Sequence, residues 1–212
     1  MIDDPLSRLA IGYAPAHRRA ALVALFALDA ALGQVLRTTR EPMVGQMRLA
    51  WWREALARLD AAPPPGEPVL QALAVDVVPA GLTGAMLAEL VDGWEPLLGD
   101  IDDTAIAAHA SRRGAALFTL AGTLLGAGDR DPLTLAGQGW ALADLAANLS
   151  DPALVGTVRA SAESLLTAAI GHRWSRNGRP LGAMTLIART KASGSDGVST
   201  VFRLGWHRLT GR

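Results

Sequence analysis

The chain has 212 residues, half of them hydrophobic, no cysteine, and 20 acidic groups against 20 basic ones. Its length allows one sizeable core; the missing cysteines exclude disulfides, thiolate metal sites and a cysteine nucleophile. Balanced charge leaves no overall field for nucleic acid, so no nucleic-acid partner is expected and any electrostatic recognition is local.

Ala and Leu are abundant and Val/Ile/Thr-rich runs are rare, which predicts an all-α fold. The opening stretch, "MIDDPLSRLAIGY", is acidic where a signal peptide is basic. The longest uncharged run, Gly114 to Gly128, is shorter than the roughly 20 residues of a bilayer span. No transmembrane segment is expected, and the chain reads as cytoplasmic, with peripheral contact to the inner membrane allowed.

In chain order, Pro15 opens a helix whose apolar spacing runs to about Leu36 and which carries one acid, Asp29. After "TREP", Pro42 opens a second, "PMVGQMRLAWWREALARLD", and "AAPPPGEP" forms a rigid loop. Then come "VLQALAVDVV", "TGAMLAELVDGWEPLL" with Thr83 as cap, and "DDTAIAAHASRRGAALFTLAGTLLG" with Asp102 or Asp103 as cap and Gly126 as stop. "DPLTLAGQGWALADLAANLSDP" follows, and then "DPALVGTVRASAESLLTAAIGHRW", capped by Asp151 with Pro152 at its first position. Short turns between about seven helices predict one bundle over residues 1–192. Residues 193–212 read as a Gly/Ser hinge and a short basic, aromatic segment.

The chemistry-bearing residues are few. His17, His109, His172 and His207 show no paired ligand spacing, which argues against zinc, and no nucleotide-binding or nucleophile-elbow motif stands in a strand-to-helix context. Asp144, Asn148 and Asp151 fall at i, i+4 and i+7, one helix face, a spacing that can present carboxylates to Mg²⁺; the competing reading is that Asp151 caps the next helix. In "RLAWWREAL", Trp51 and Trp52 point about 100° apart on a helix, so one faces the core and the other a groove edge. Arg48 and Arg53 flank them. The same segment also reads as a helix–helix seam with snorkelling arginines.

"YAPAHRRAALVALFALDAAL" followed by "GQMRLAWWREAL", with "WEPLL", "RRGAALFTLAGTLLG" and "GQGWALADLAANLSDP" in order behind them, resembles the squalene/phytoene synthase family. That resemblance implies an all-α isoprenoid-synthase bundle. Its active members join two prenyl diphosphates head to head, with two aspartate-rich helical motifs holding Mg²⁺ against the diphosphate. Here the first motif, D-D-x-x-D, falls on Gly33 to Arg37 and loses every aspartate. In the second, Ala143, Ala146 and Leu149 replace glutamine, asparagine and arginine, and Ser150 and Leu154 replace the two aspartates.

The chain therefore resembles the relatives, among them respiratory complex I assembly factors, that keep the bundle without its aspartates. The resemblance implies no condensing activity and no cofactor. It implies instead a role in binding an isoprenoid or prenyl diphosphate ligand, or in scaffolding a protein partner during respiratory-complex assembly. Arg19, which matches a basic position near the diphosphate, is the first candidate ligand contact, with Arg48, Trp51, Trp52 and Arg53. The alternative is an active Mg²⁺-dependent prenyltransferase with a shifted site at Asp144, Asn148 and Asp151 and Asp29 opposite.

Overall fold

The computed structural model describes residues 4–194 and 197–212, the side chains of 197–199 excepted. Every regular element among them is helical. Asp4 starts α1 (Pro5–Ile11) by accepting from the Leu6 and Ser7 amides. Pro15 precedes α2 (Ala16–Arg37), and Pro42 is the first residue of α3 (Pro42–Ala57), positions where proline's missing N–H has no helical partner to lose. A loop leads to α4 (Pro68–Ala72), which runs on through a wide π turn and a 3₁₀ turn to Ala80.

Thr83 caps α5 (Gly84–Ala88), its hydroxyl accepting from the Met86 amide at 3.2 Å. Two 3₁₀ turns, Glu89–Gly93 and Glu95–Leu98, carry the chain past Trp94. Asp102 caps α6 (Asp103–His109) through the Ala105 amide at 2.7 Å. A π-helical stretch, Ala110–Ala115, joins α6 to α7 (Ala116–Leu125), which stops at left-handed Gly126. Then come α8 (Leu133–Asn148) and α9 (Pro152–Ile170), with Asp151 accepting from Ala153 at 2.9 Å.

The last helices are α10 (Arg179–Ser193) and α11 (Gly197–Thr210). Ser195 and Asp196, in the hinge expected from the sequence, lie outside the described residues. Beyond them α11 lies against α10, with Leu204 and His207 buried and the Gly211 carbonyl accepting from the Trp174 amide at 2.8 Å.

One continuous core unites these elements. Leu22, Leu25, Leu28 and Leu32 put a fully buried stripe of α2 against it, each side chain contributing about 1.5–3 kcal/mol of transfer free energy. By length and composition alone α2 and α9 could cross a membrane. Charge interrupts both, Asp29 in α2 and Arg159 and Glu163 in α9, so neither counts as an uncharged run of bilayer length. More than half of the apolar window of α2 is buried inside the bundle, and about a fifth of that of α9.

The core helix α8 touches the π-helical stretch where Gly114 faces Gly137. A Cβ on either glycine would run into the other's backbone carbonyl. Only the absence of both side chains allows this approach, and it sets α8 beside the segment that carries Arg113.

Candidate functional site

Between α2, α8, α9 and α10 lies a cavity of about 420 Å³, mostly apolar, lined by Phe26, Trp140, Ala143, Ala146, Met184 and Ile187 among others. A volume in this range suits a small-molecule ligand. Ala143 and Ala146, which the resemblance aligns with a glutamine and an asparagine of the second motif, form part of its wall and make it apolar there.

The floor holds a fully paired charge cluster. The Arg113 guanidinium donates to both oxygens of Asp29 on α2, at 2.8 and 2.9 Å, and reaches Asp144 Oδ2 on α8 at 2.7 Å. It lies over the Trp94 ring at 4.0 Å and the Trp140 ring at 4.8 Å. Burial alone would lower its affinity for the proton, but the Asp29 and Asp144 carboxylates outweigh that and hold it above its ordinary value. The guanidinium is permanently charged. Arg113 occupies the π-helical stretch, whose wider turn displaces the side chains that follow it from a regular α-helical register.

His109 completes the cluster. Its Nδ1 lies 2.7 Å from the Gly93 carbonyl and its Nε2 lies 3.1 Å from Arg113 Nη1. A carbonyl only accepts and a guanidinium only donates, so the ring carries its proton on Nδ1 and accepts at Nε2. Burial, reinforced by the Arg113 charge, pushes its pKa down to about 3, against the opposing pull of the Gly93 bond. The imidazole is neutral at physiological pH.

Gly33, which the resemblance aligns with the start of the first motif, is closed off in a different way. A Cβ there would stand 2.8 Å from Cη2 of Trp94. The indole occupies the space that a larger side chain needs. One turn further on, Arg37 lines the cavity, as do Arg159 on α9 and Lys191 on α10. Lys191 also pairs with Asp4 at 2.9 Å, while Arg37 donates to Gln34 and to the Ala30 carbonyl.

The residues singled out in the sequence separate into two groups. Asp29 and Asp144 do face each other, bridged by Arg113. Asn148 lines the same cavity but donates to the Asp144 backbone carbonyl at 2.7 Å, and Asp151 caps α9. With Asp144 held by Arg113 and Asp151 by a helix end, this arrangement does not fit Mg²⁺. Among the described residues no three His, Cys, Asp or Glu side chains gather as a metal set.

Arg19, Arg48, Trp51, Trp52 and Arg53 do not line the cavity. Arg19 donates to the carbonyls of Gly12 and Ala14 and so ties down the α1–α2 turn. Arg48 bonds the Thr38 and Thr39 hydroxyls, and Arg53 pairs with Asp92 and Glu95. Trp52 is buried and Trp51 is about half exposed, the two rings meeting edge to face at 5.3 Å. Sequence reasoning missed Arg113 because it sits in "HASRRGAA" with no acid near it, and its partner Asp29 is 84 residues away.

A helical bundle with a cavity between two carboxylate-bearing helices defines the class. Residues 7–149 match the squalene/phytoene synthase family, more than half of the chain, and the chain belongs to that family. The matched span ends at Leu149, just before Ser150 and Leu154. Comparison with curated proteins and with solved structures gave no match.

Proposed function

We propose that this chain is a non-condensing member of its family that binds an isoprenoid or prenyl diphosphate without Mg²⁺. The observation that carries the reading is the Arg113 cluster: the two carboxylates that face the cavity are already committed to a fixed internal cation. A divalent ion would have to displace a bidentate, desolvated guanidinium, which costs several kcal/mol. The apolar walls suit a polyprenyl chain, and Arg37, Arg159 and Lys191 at the lining offer charge-assisted bonds to an anionic head, each worth about 1.5–3 kcal/mol. Without a metal to draw charge onto the leaving diphosphate, the ligand is retained intact.

The test is a titration with a non-hydrolysable prenyl thiodiphosphate in excess chelator, followed by quenching of Trp94 and Trp140. Saturable binding that Arg37→Ala/Arg159→Ala weakens about tenfold or more is expected, together with no release of diphosphate from farnesyl or geranylgeranyl diphosphate in Mg²⁺. Turnover that Asp144→Ala abolishes would replace this reading with the active prenyltransferase.

A second reading, a scaffold for a protein partner, is favoured by one observation. Met43, Met47 and Trp51 stand at i, i+4 and i+8 on α3 and are all exposed, an apolar ridge that a monomer has little reason to keep. The two readings are compatible, since the ridge residues are not part of the cavity lining.

A further inference from the structure

The outer face of α11 carries a second exposed apolar surface, with a different chemistry. Phe202, Trp206 and Leu209, at i, i+4 and i+7, are 78%, 64% and 76% exposed. Leu204 and His207 point roughly the opposite way on the helix wheel and are buried against the bundle. The helix is therefore held by one face while its other face presents two aromatics and a leucine to the outside. Exposed Arg203 and Arg208 fall between the two faces, one on each side.

Charge is distributed in the same sense. Residues 171–212 carry eight of the chain's 20 basic groups and one of its 20 acids. The neutral total hides a strongly cationic segment and a correspondingly acidic remainder. The loop bearing Arg173 and Arg176 is joined to this helix end through the Trp174–Gly211 bond, and Arg179 donates to the Arg208 carbonyl at 2.7 Å.

We propose that α11 is an interfacial helix that docks this protein on an anionic lipid bilayer, with Phe202, Trp206 and Leu209 inserted at the headgroup level and the arginines over the lipid phosphates. Aromatic and leucine side chains on one face with cations along its edges are the composition that partitions to such an interface. Fourteen residues of helix span about 21 Å, less than the roughly 30 Å of a hydrocarbon core, so the helix lies along the surface and does not cross it. Charge complementarity selects an acidic bilayer over a neutral one. The inference does not depend on what fills the cavity.

Co-sedimentation of the full chain with vesicles of phosphatidylcholine alone, and of phosphatidylcholine mixed with phosphatidylglycerol, tests it. Binding to the mixed vesicles that added salt weakens is expected, with little binding to the neutral ones. Phe202→Ser/Trp206→Ser and, separately, Arg203→Glu should each reduce binding about tenfold or more while thermal unfolding and binding of the thiodiphosphate probe stay unchanged. Should the double variant fold poorly, Leu209→Ser alone carries the same test. Equal binding to both vesicle types, or binding that these substitutions leave intact, overturns the proposal. So does a wild-type dimer in light scattering that Trp206→Ser dissociates, which would assign the face to a second copy of the chain.

Discussion

Arg113 and Arg53 each bridge two carboxylates, Asp29 and Asp144 in the first case, Asp92 and Glu95 in the second. The residue types are nearly the same and the surroundings are not. The Arg113 side chain is 3% exposed and its partners come from α2 and α8, whereas the Arg53 side chain is 39% exposed and its partners sit in two successive surface turns on either side of Trp94. In water the attraction is largely cancelled by lost hydration and screening; in the core, each charge would be stranded without the others. Burial, more than the presence of an ion pair, turns the first cluster into a structural and chemical centre.

The largest expected effect separates the two directly. Arg113→Met leaves Asp29 and Asp144 facing each other unpaired, and urea unfolding should show a loss of about 3–5 kcal/mol. Adding Asp29→Leu and Asp144→Leu to that variant should recover most of it, since a matched apolar replacement removes the stranded charges too. Failure to recover would mean that the cluster fixes the helix arrangement itself.

A comparable contrast lies within "RLAWWREAL". Trp52→Ala empties core volume and should cost roughly 3–5 kcal/mol, while Trp51→Ala, on the exposed ridge, should leave the melting temperature nearly unchanged. Equal losses from both would put Trp51 in the packing as well.

The buried cluster should also be visible in pH dependence. The His109 pKa is lowered to about 3 in the folded chain from 6.5. Between these values the unfolded chain holds the extra proton, so stability falls as pH drops below about 6.5, by at most about 1.4 kcal/mol per pH unit from this group. His109→Gln, which keeps a donor for Gly93 and an acceptor for Arg113, should flatten the decline between pH 7 and 5 in matched urea titrations. An unchanged slope would show that His109 does not titrate in this way.

Arg53→Ala is the smallest, about 0–1 kcal/mol at low salt and less at high salt. A larger effect would break the comparison by showing that the surface pair anchors the Trp94 turn.

Much of the fold could be read before the structure. Proline at helix starts, Thr83, Asp102 and Asp151 as caps, and Gly126 as a stop are local signals, and local hydrogen bonding realises each of them. Helix α10 was missed although Pro180 stands at its start and left-handed Gly194 at its end: Pro180 through Ala188 are all buried, so its apolar residues run around the whole helix and no stripe marks a face. The site was half legible. Asp29 stood out as the lone acid of its helix and Asp144 as one of three polar residues on a helix face, while Arg37 was marked only as the cation at the end of the first motif. Arg113, Arg159 and Lys191 come together only through tertiary packing, in which the contact of Gly114 with Gly137 is indispensable and has no sequence signature beyond two glycines among many.

The indole of Trp94 against Gly33 couples two distant parts of the molecule. A side chain at position 33 would meet that ring at 2.8 Å, and the same ring is the surface on which Arg113 and His109 rest. Room beside α2 and order in the buried cluster are therefore exchanged one for the other: any residue larger than glycine at position 33 displaces the aromatic that seats the cluster.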